Sequence, residues 1–419
     1  MRAEIIAVGS ELLTPFRLDT NSLFLTSQLN QLGIRVIHKA VVGDGPDEMR
    51  SSFRHALDRA ELVVSSGGLG PTDDDRTRQT VAELLGRKLH TDPHILQYIK
   101  QRFQRFRPGR VMPEINARQA LVPEGATVLP NPKGTAPGLW LEANGHIVIL
   151  LPGVPAELQA LFEAEVKPRL ARFAEPMRLF TRELRITGLP ESEVETRVSP
   201  LYALYPNTET TILASPPGIQ LHPSVWSDDA GKAERLLDEI VDRMALALGE
   251  HLFSTRGEAL EEVVGRILTE NRATIAVAES CTGGLLAERL TNVPGSSIYF
   301  LGGVVCYSND LKTRLVDVPP ALLESKGAVS PEVAMALAEG IRKRTGATIG
   351  IGVTGIAGPG GGSPEKPVGL AYIGIADERG PRQKEFRFVG DRDRIRLFAS
   401  QSALDMARRY FLLPSYGRS

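Results

Sequence analysis

The C-terminal third of the chain places a hydroxyl- and glycine-rich turn in a region without histidine. Residues 278–284 (AESCTGG) follow an apolar, strand-like run and open a helical pattern. A strand that ends in small residues before a helix exposes unpaired backbone N–H groups, which suit an anion. All seven histidines lie at or before His251. A serine or cysteine nucleophile in this region therefore needs a lysine, a tyrosine or a carboxylate as its base.

Candidates for such a base are few, because only five lysines lie in this region. Lys312 and Lys366 lie inside polar or glycine-rich motifs, whereas the other three flank helices and loops as surface lysines do. A lysine becomes a base when burial or a neighbouring cation lowers its pKa, and Arg392 is a candidate neighbour. Cys281 and Cys306 have no histidine partner, so we interpret both as small core residues.

A second candidate site is the glycine- and aspartate-rich segment 67–77 (GGLGPTDDDRT). Its glycines follow an apolar run and permit close approach of the backbone to a phosphate. Its aspartates suit a hydrated divalent cation at the start of the following helix. The alternative is a capped helix whose acidic first turn is favoured by the helix dipole. The pattern favours a phosphate-plus-metal site with Asp74 and Asp75 as metal ligands.

The composition excludes several classes of protein. Of the 419 residues, 42% are hydrophobic and 24% are charged, and the formal net charge is −1. These values are typical of a globular protein and give no overall attraction to nucleic acid or to a membrane surface. Two cysteines form no disulfide framework, and no apolar run reaches the roughly 18–20 residues of a membrane helix. We expect a cytoplasmic protein with several domains.

The elements that position these motifs alternate between strands and helices. Residues 1–172 and 256–414 both show this alternation, which predicts an α/β class with two three-layer domains and mostly parallel sheets. Ligands of such sheets bind beyond the carboxyl ends of the strands, where the glycine and polar clusters fall. Residues 175–252 instead read as a small α+β module that joins the two domains.

The segment 67–77 resembles the Gly-Gly-x-Gly-x-Thr-x-x-Asp-x-Thr signature of MoaB/MogA-like molybdopterin-binding domains. Its Gly-Pro-Thr-x-Asp-Asp variant is similar to the branch found in CinA proteins and in the hydrolase domain of some FAD synthases. This resemblance implies a metal-dependent pyrophosphatase that acts on ADP-ribose. The implied cofactor is a divalent metal of the Mg or Co class, with a monovalent cation as a further candidate. The implied substrate-binding residues are Ser10, Glu11, Asn21, Gly67, Gly68, Gly70, Thr72, Lys133, Gly134, Thr135, Pro152 and Gly153.

Six ordered segments between residues 258 and 412 resemble the CinA C-terminal domain, a nicotinamide-mononucleotide deamidase family. The resemblance implies cofactor-free hydrolysis of the carboxamide to nicotinic acid mononucleotide and ammonia. The second serine of Gly-Ser-Ser, Ser297, is the implied nucleophile with Lys312 as its base, while Ser280 in the strand-to-helix turn remains an alternative. The other implied catalytic residues are Tyr307, Thr354 and Arg392. The implied substrate-binding residues are Glu279, Ser280, Thr282, Gly283, Gly358 and Lys366, and the turn 280–284 suits the 5′-phosphate.

The middle segment resembles the KH-like module of full-length CinA proteins but lacks a convincing Gly-x-x-Gly clamp for RNA. We interpret it as a structural, dimer-forming module. The whole sequence then predicts a bifunctional enzyme of pyridine-nucleotide salvage, a homodimer whose partners are small nucleotides and not nucleic acid or membrane. One alternative makes the N-terminal domain a non-catalytic pterin- or nucleotide-binding module that regulates a partner. Another, ranked last, makes one domain a decayed scaffold.

Overall fold

A computed structural model describes residues 1–173 and 176–412 of the chain. They form two compact units. The first comprises Met1–Leu179 with Trp226–Ala230, and the second comprises Phe180–Val225 with the described residues from Gly231 onward. The three-segment division predicted from the sequence stays a prediction. No described helix is both long enough and apolar enough to cross a membrane.

The first unit is built on a six-stranded sheet of order β2-β1-β3-β8-β7-β6. Strands β2, β1, β3 and β8 are parallel, and β7 and β6 add an antiparallel edge. Residues 1–173 of the unit contain eight strands, of which β4 and β5 lie outside this sheet. They are β1 (Arg2–Val8), β2 (Arg35–Val42), β3 (Leu62–Ser66), β4 (Leu89–Thr91), β5 (Leu121–Pro123), β6 (Thr127–Leu129), β7 (Gly138–Ala143) and β8 (His146–Leu151). The helices are α1 (Thr20–Gln31), α2 (Pro46–Arg59), α3 (Thr77–Leu84), α4 (Pro93–Phe106), α5 (Pro155–Leu161) and α6 (Lys167–Leu170).

Alternation along β1 divides the core of this unit into two layers. Ile6 packs with residues of α2 and α3 on one face of the sheet, while Ile5 packs with residues of α1 and α5 on the other. Because side chains of a strand alternate between faces, a fully apolar strand requires helices on both sides. Ser66, the last residue of β3, is in register with Ala7 and with Leu151. The loops after β1, β3 and β8 therefore leave the same edge of the sheet.

The small module lies mostly in the second unit, which begins at Phe180 within the first strand of the module. Its strands are β9 (Arg178–Thr181), β10 (Leu184–Ile186), β11 (Thr208–Ser215), β12 (Gly218–Ser227) and β13 (Leu252–Ser254), and its helices are α7 (Glu191–Tyr202) and α8 (Ala230–Leu248). Strands β11, β12, β10 and β13 pair in that order and are antiparallel. Val194 of α7 and Met244 of α8 are buried against Ile186 of β10. The module has the α+β character predicted from the sequence.

The remainder of the second unit is a five-stranded sheet of order β15-β14-β16-β17-β18 between helices. The strands are β14 (Ile275–Glu279), β15 (Phe300–Val305), β16 (Ile349–Gly355), β17 (Leu370–Asp377) and β18 (Gly380–Arg387). The helices are α9 (Leu260–Glu270), α10 (Leu285–Thr291), α11 (Asn309–Val316), α12 (Pro320–Lys326), α13 (Pro331–Thr345) and α14 (Arg392–Leu412). Strands β15, β14 and β16 are parallel, while β17 and β18 are antiparallel. The predicted α/β class is confirmed, with antiparallel strands at one edge of each large sheet.

Candidate active sites

Ser280 and Lys312 meet at the carboxyl edge of the second large sheet. Ser280 directly follows β14, and its backbone N–H donates to the carbonyl of Val353 on β16 at 3.0 Å. Lys312 lies in the first turn of α11 and is 1% exposed. Its Nζ donates to Ser280 Oγ at 3.1 Å. A hydroxyl and an amine are thus in direct contact within a buried turn.

The surroundings of the Lys312 amine favour its neutral form. Nζ also lies 3.0 Å from the backbone carbonyl oxygen of Cys306 and 3.1 Å from that of Tyr307, so the neutral amine can donate to both carbonyls and accept from the Ser280 hydroxyl. No carboxylate among the described residues forms an ion pair with it. Burial lowers the pKa of Lys312, because a low-dielectric environment disfavours the charged amine. The lysine is therefore suited to take a proton from the hydroxyl that it contacts.

Ser297, the predicted nucleophile, does not contact Lys312 in the chain, and its catalytic role stays a prediction. Ser297 is exposed in a 3-10 helix, Ser296–Ile298, before β15 begins. Strands β14 and β15 are parallel, with Glu279 in register with Val305. Ser297 therefore lies at the amino end of β15, and five residues of parallel strand separate that end from the carboxyl end by about 16 Å. Ser280, the alternative from the sequence, is the serine in contact with the lysine.

The Glu279 carboxylate binds backbone N–H groups at the start of α10. This residue is 1% exposed. Its carboxylate accepts hydrogen bonds from the backbone N–H groups of Gly284 at 3.0 Å, Leu286 at 3.1 Å and Ala287 at 2.8 Å. An internal carboxylate thus occupies the helix terminus that the sequence assigned to the 5′-phosphate. The substrate-binding role of Glu279 stays a prediction, and its contacts in the structure position the turn that carries Ser280.

The rest of the turn offers polar groups beside Ser280. Among the described residues, the backbone N–H groups of Cys281 and Thr282 donate to no backbone carbonyl. Thr282 is fully buried and its Oγ1 has no hydrogen-bond partner, whereas Gly283 is exposed. Burial raises the pKa of Cys281 to about 12 and also raises that of Cys306. Both thiols therefore stay protonated near neutral pH, which fits their interpretation as core residues.

Tyr307 and Arg392 form a second, exposed part of this site. Arg392 Nη2 donates to the Tyr307 hydroxyl at 3.0 Å, and its Nη1 donates to the Gly358 carbonyl at 2.8 Å. The bond to Tyr307 raises the pKa of Arg392. Since the Tyr307 carbonyl also accepts from Lys312, the same residue connects the buried pair to the guanidinium. Ser280, Lys312, Tyr307, Gly358 and Arg392 are thus linked through contacts.

Two other predicted residues bind the backbone of neighbouring loops. Thr354 is buried at the end of β16, and its hydroxyl donates to the Ala328 carbonyl at 2.7 Å. Lys366 Nζ donates to the carbonyls of Lys326 at 2.8 Å and Val329 at 2.7 Å. Both side chains therefore hold the segment that precedes α13, and neither contacts Ser280 or Lys312.

In the first unit, the backbone after β3 requires glycine at two adjacent positions. Gly67 has φ +101 and Gly68 has φ +68, in the region where a side chain is strained. A Cβ on Gly67 would overlap the Val8 carbonyl, and one on Gly68 would overlap the Thr77 hydroxyl. The turn therefore packs its backbone directly against β1 and α3, as the predicted phosphate turn requires.

The three aspartates lie before α3, which corrects the expectation that they open the helix. The helix begins at Thr77 and has no acidic residue in its first turn. Asp75 accepts from both the backbone N–H and the hydroxyl of Thr72, and Asp73 pairs with Arg118. Asp74 is exposed.

Asp74 and Asp75 are compatible with a divalent cation only as a partial ligand set. No group of three or more histidine, cysteine, aspartate or glutamate side chains among the described residues is arranged to hold a metal. Mg²⁺ commonly uses one or two carboxylates and completes its shell with water and substrate phosphates. The donor set therefore fits a cation that arrives with a phosphate substrate.

Other predicted residues of the first unit surround a small cavity at the same edge of the sheet. The cavity has a volume of 110 Å³ and is lined by Glu11, Asn21 and Gly153, among others. Asn21 is 8% exposed, its Nδ2 donates to the Gly153 carbonyl at 2.9 Å, and its Oδ1 has no partner. Pro152 is buried at the end of β8, and Ser10 is exposed with its N–H donating to Asp44. Glu11, Asn21 and Gly153 are thus brought together.

Asn131 shapes the predicted lysine loop and was not identified from the sequence. Its Oδ1 accepts from the N–H groups of Lys133 at 3.0 Å and Gly134 at 2.8 Å, and its Nδ2 donates to Glu157 at 2.7 Å. An asparagine two residues before a glycine turn is a familiar signal for such a loop. Lys133 is exposed, and Thr135 lines a separate cavity of 400 Å³.

The fold and these sites define a class of protein in which a molybdopterin-binding type of α/β domain precedes a KH-type module and a second α/β domain. Residues 4–172 match the probable molybdopterin binding domain, 181–254 the damage-inducible protein CinA KH domain, and 257–411 the CinA C-terminal domain. The chain is 50% identical to the CinA-like protein of Koribacter versatilis, over 98% of this chain and 99% of that protein. It is 47% identical to the CinA-like protein of Solibacter usitatus, over 98% of both.

The chain therefore belongs to the CinA family, and the resemblance drawn from the motifs is confirmed. Among solved structures, the protein CinA of Thermoplasma acidophilum is 40% identical, with a TM-score of 0.37. That match covers 40% of this chain and 96% of the solved chain.

Proposed function

We propose that the C-terminal part of the chain is an amidohydrolase that converts nicotinamide mononucleotide and water to nicotinic acid mononucleotide and ammonia. The observation that carries this proposal is the contact of 3.1 Å between the buried Lys312 amine and the Ser280 hydroxyl. Burial lowers the pKa of this amine, so it can act as a base where histidine is absent. The substrate class is the one that the resemblance of the motifs to the CinA C-terminal domain implies.

In the first half of the reaction, Lys312 takes the Ser280 proton while Oγ forms a bond to the carboxamide carbon. The backbone N–H groups of Cys281 and Thr282 stabilise the oxyanion that develops. Lys312 then returns the proton to the amide nitrogen, the C–N bond breaks, and ammonia leaves an acyl ester on Ser280. In the second half, water loses a proton to Lys312 and attacks the ester. That proton returns to Oγ as the acid is released.

Charge near the site supports a phosphorylated substrate. The Arg392 guanidinium is exposed beside the Tyr307 hydroxyl, and a guanidinium is well suited to bind a phosphate. Arg392 replaces the start of α10 as the proposed phosphate contact, because Glu279 occupies that terminus.

The test is ammonia release from nicotinamide mononucleotide by the intact chain, with Ser280→Ala and Lys312→Met compared against Ser297→Ala as a matched serine control. We expect the first two variants to lose about 10²–10⁴-fold in kcat, and Ser297→Ala to stay within about twofold of the parent. Loss of activity in Ser297→Ala with retention in a folded Ser280→Ala would assign the nucleophile to Ser297 instead. An inactive parent chain would refute the proposed substrate.

For the N-terminal part, we propose a metal-dependent pyrophosphatase that acts on ADP-ribose. The support is the glycine turn at Gly67 and Gly68, the adjacent Asp74 and Asp75, and the cavity lined by Glu11. Asp74 and Asp75 would hold the divalent cation, which supplies charge neutralisation of the pyrophosphate and a more acidic water. A non-catalytic nucleotide-binding module is the second candidate, because the described residues provide no complete metal-ligand set. Hydrolysis of ADP-ribose with Mg²⁺ by the intact chain, lost in Asp75→Asn, distinguishes the two.

A further inference from the structure

A cavity of 520 Å³ lies inside the second unit, between the small module and the C-terminal sheet. The module contributes residues 187–191, 214–219 and 250–251 to its walls, and β18, α14 and the segment between them contribute the rest. This volume is within the range of about 300–1,000 Å³ that small-molecule sites occupy. None of the residues proposed for amide hydrolysis lines it, so the cavity is separate from the Ser280 site.

One wall of this cavity is a row of near-parallel phenyl rings. Phe386 and Phe388 stack with a centroid distance of 5.5 Å and an angle of 12°. Phe388 and Phe398 stack at 6.0 Å and 17°. All three rings line the cavity and are only half-buried. Half-buried aromatic rings that line a cavity favour contact with a planar ring, either edge-to-face or offset.

Two cations flank this wall. Lys384 Nζ lies 5.5 Å from the centroid of the Phe386 ring, and Arg394 Cζ lies 5.5 Å from that of Phe398. Both side chains are exposed, both line the cavity, and neither forms an ion pair with a described residue. No acidic side chain of the described chain neutralises the positive charge beside the aromatic wall. An anionic group of a ligand would neutralise this charge.

The acidic residues that line the cavity are mostly neutralised by other partners. Asp405 is bound by Arg408 and by Arg409, each at 2.7 Å, and Glu250 pairs with Arg409. Glu191 is the lining carboxylate without such a pair among the described residues, and it belongs to the module side. The anionic part of a ligand is therefore directed toward Lys384 and Arg394, away from Glu191.

The base of the cavity is polar and held in place. Gln401 is 3% exposed, its Oε1 accepts from Arg289 at 2.7 Å, and its Nε2 donates to the Thr187 hydroxyl at 3.2 Å. His251 Nδ1 contacts the Thr187 carbonyl at 3.1 Å and so carries a proton. His251 Nε2 has no partner among the described residues and can bind the polar edge of a ring.

We propose that this cavity is a second nucleotide site, which binds a mononucleotide with its base against the phenyl wall and its phosphate at Lys384 and Arg394. A planar ring joined to an anion matches the two features of the wall, and one nucleotide matches the enclosed volume. The inference does not depend on the proposed amide hydrolysis, because it uses different residues.

The test uses 8-azido-AMP as a photoreactive probe on the full-length chain, with labelled peptides identified by mass spectrometry. We expect labelling within residues 384–402 or 214–219, blocked by excess AMP but not by ribose 5-phosphate, which lacks the base. In Lys384→Glu/Arg394→Glu, half-saturation of this labelling should need about tenfold more probe, equal to about 1.4 kcal/mol. Lys343→Glu is the matched control, because Lys343 is an exposed lysine of α13 that lies outside the cavity.

Three results would overturn the proposal: no labelling of these peptides, labelling that ribose 5-phosphate blocks as well as AMP does, or equal labelling of the double variant and the control. If the double variant unfolds, Lys384→Gln alone decides, and unchanged labelling in that folded variant counts against the site. Ammonia release by the same proteins separates the two proposals. Active amidase without cavity labelling refutes this site alone, whereas labelling without amidase activity refutes only the proposed reaction.

Discussion

The Lys312 amine makes three hydrogen bonds to uncharged oxygens and none to a carboxylate among the described residues. Burial lowers its pKa, and only the neutral amine accepts the Ser280 proton. We therefore predict that kcat/KM for ammonia release rises with pH and that the midpoint of this rise lies below 10.5, the ordinary value for lysine. A pH profile of the intact chain between about pH 6 and pH 11 measures it. A midpoint at or above the ordinary value would contradict the role of Lys312 as the base.

Glu279 allows a second prediction for a single side chain. Its two carboxylate oxygens accept three backbone N–H groups of the turn and of α10. Glu279→Gln removes one acceptor and the negative charge, so we expect the free energy of unfolding to fall by about 1–3 kcal/mol. Urea denaturation measures this, with the exposed Glu288→Gln on the same helix as control. Equal losses in both variants would show that the buried carboxylate has no special role in the turn.

Motifs in the sequence selected candidate residues that the structure connects, but Ser297, the predicted nucleophile, is not the serine that contacts Lys312. Lys312, Tyr307 and Arg392 were predicted together, and the structure connects them. Ser297 was predicted from its motif. It precedes β15, whereas Lys312 lies in α11, which follows the carboxyl end of that strand. The direction of a parallel strand decides which of two serines reaches a site, and this direction is a property of the sheet. The proposal of Ser280 therefore depends on the pairing of β14 with β15.

At the level of elements, helices with clear terminal signals were predicted most accurately. Helix α13 spans 331–345, where its terminal signals place it, since Ser330 caps it, Pro331 opens it and Gly346 follows with φ +70. The short α11 was missed, although Ser308 caps it, because eight residues give little periodicity. The antiparallel edges were also missed, because strand order depends on long-range contacts that local patterns do not contain.

The β17–β18 hairpin is held to α14 by a buried carboxylate, Asp377. Asp377 is 3% exposed and accepts from Arg379 at 2.7 Å, Arg382 at 3.1 Å and the Tyr410 hydroxyl at 3.0 Å. Burial alone would raise the pKa of Asp377, but the hydrogen bonds from Arg379 and Tyr410 lower it to about 2. The folded value is below the ordinary 3.8, so the ionised group stabilises the fold above about pH 4 and this contribution disappears toward pH 2.

We therefore predict that Asp377→Asn lowers the free energy of unfolding by about 2 kcal/mol at pH 7. The difference from the parent should shrink as the pH falls from about 4 to about 2. Urea titrations at several pH values measure it, with the adjacent exposed Glu378→Gln as the control. A difference that stays constant over this range would show that the stabilisation does not come from the ionised carboxylate.

On the scale of the whole molecule, the two proposed reactions belong to different compact units and use different chemistry. Asp74 and Asp75 lie in the first unit, while Ser280 and Lys312 lie in the second. The first reaction depends on a cation, because two carboxylates alone leave the pyrophosphate charge unneutralised. The second is carried by a hydroxyl and an amine. We therefore predict that an excess of EDTA abolishes hydrolysis of ADP-ribose and leaves ammonia release from nicotinamide mononucleotide within about twofold of its original rate.

Both rates are measured on one preparation of the intact chain, and Mg²⁺ added in excess should restore the first. Asp75→Asn should reproduce the effect of EDTA on the first reaction alone, whereas Lys312→Met should abolish the second alone. Since each variant is the control for the other, general damage to the chain would appear as loss of both activities. Loss of ammonia release on chelation would contradict the Ser280–Lys312 chemistry. If hydrolysis of ADP-ribose survived EDTA, the proposed metal site in the first unit would be refuted. The role of Asp75 would then be to accept hydrogen bonds from Thr72 within the turn.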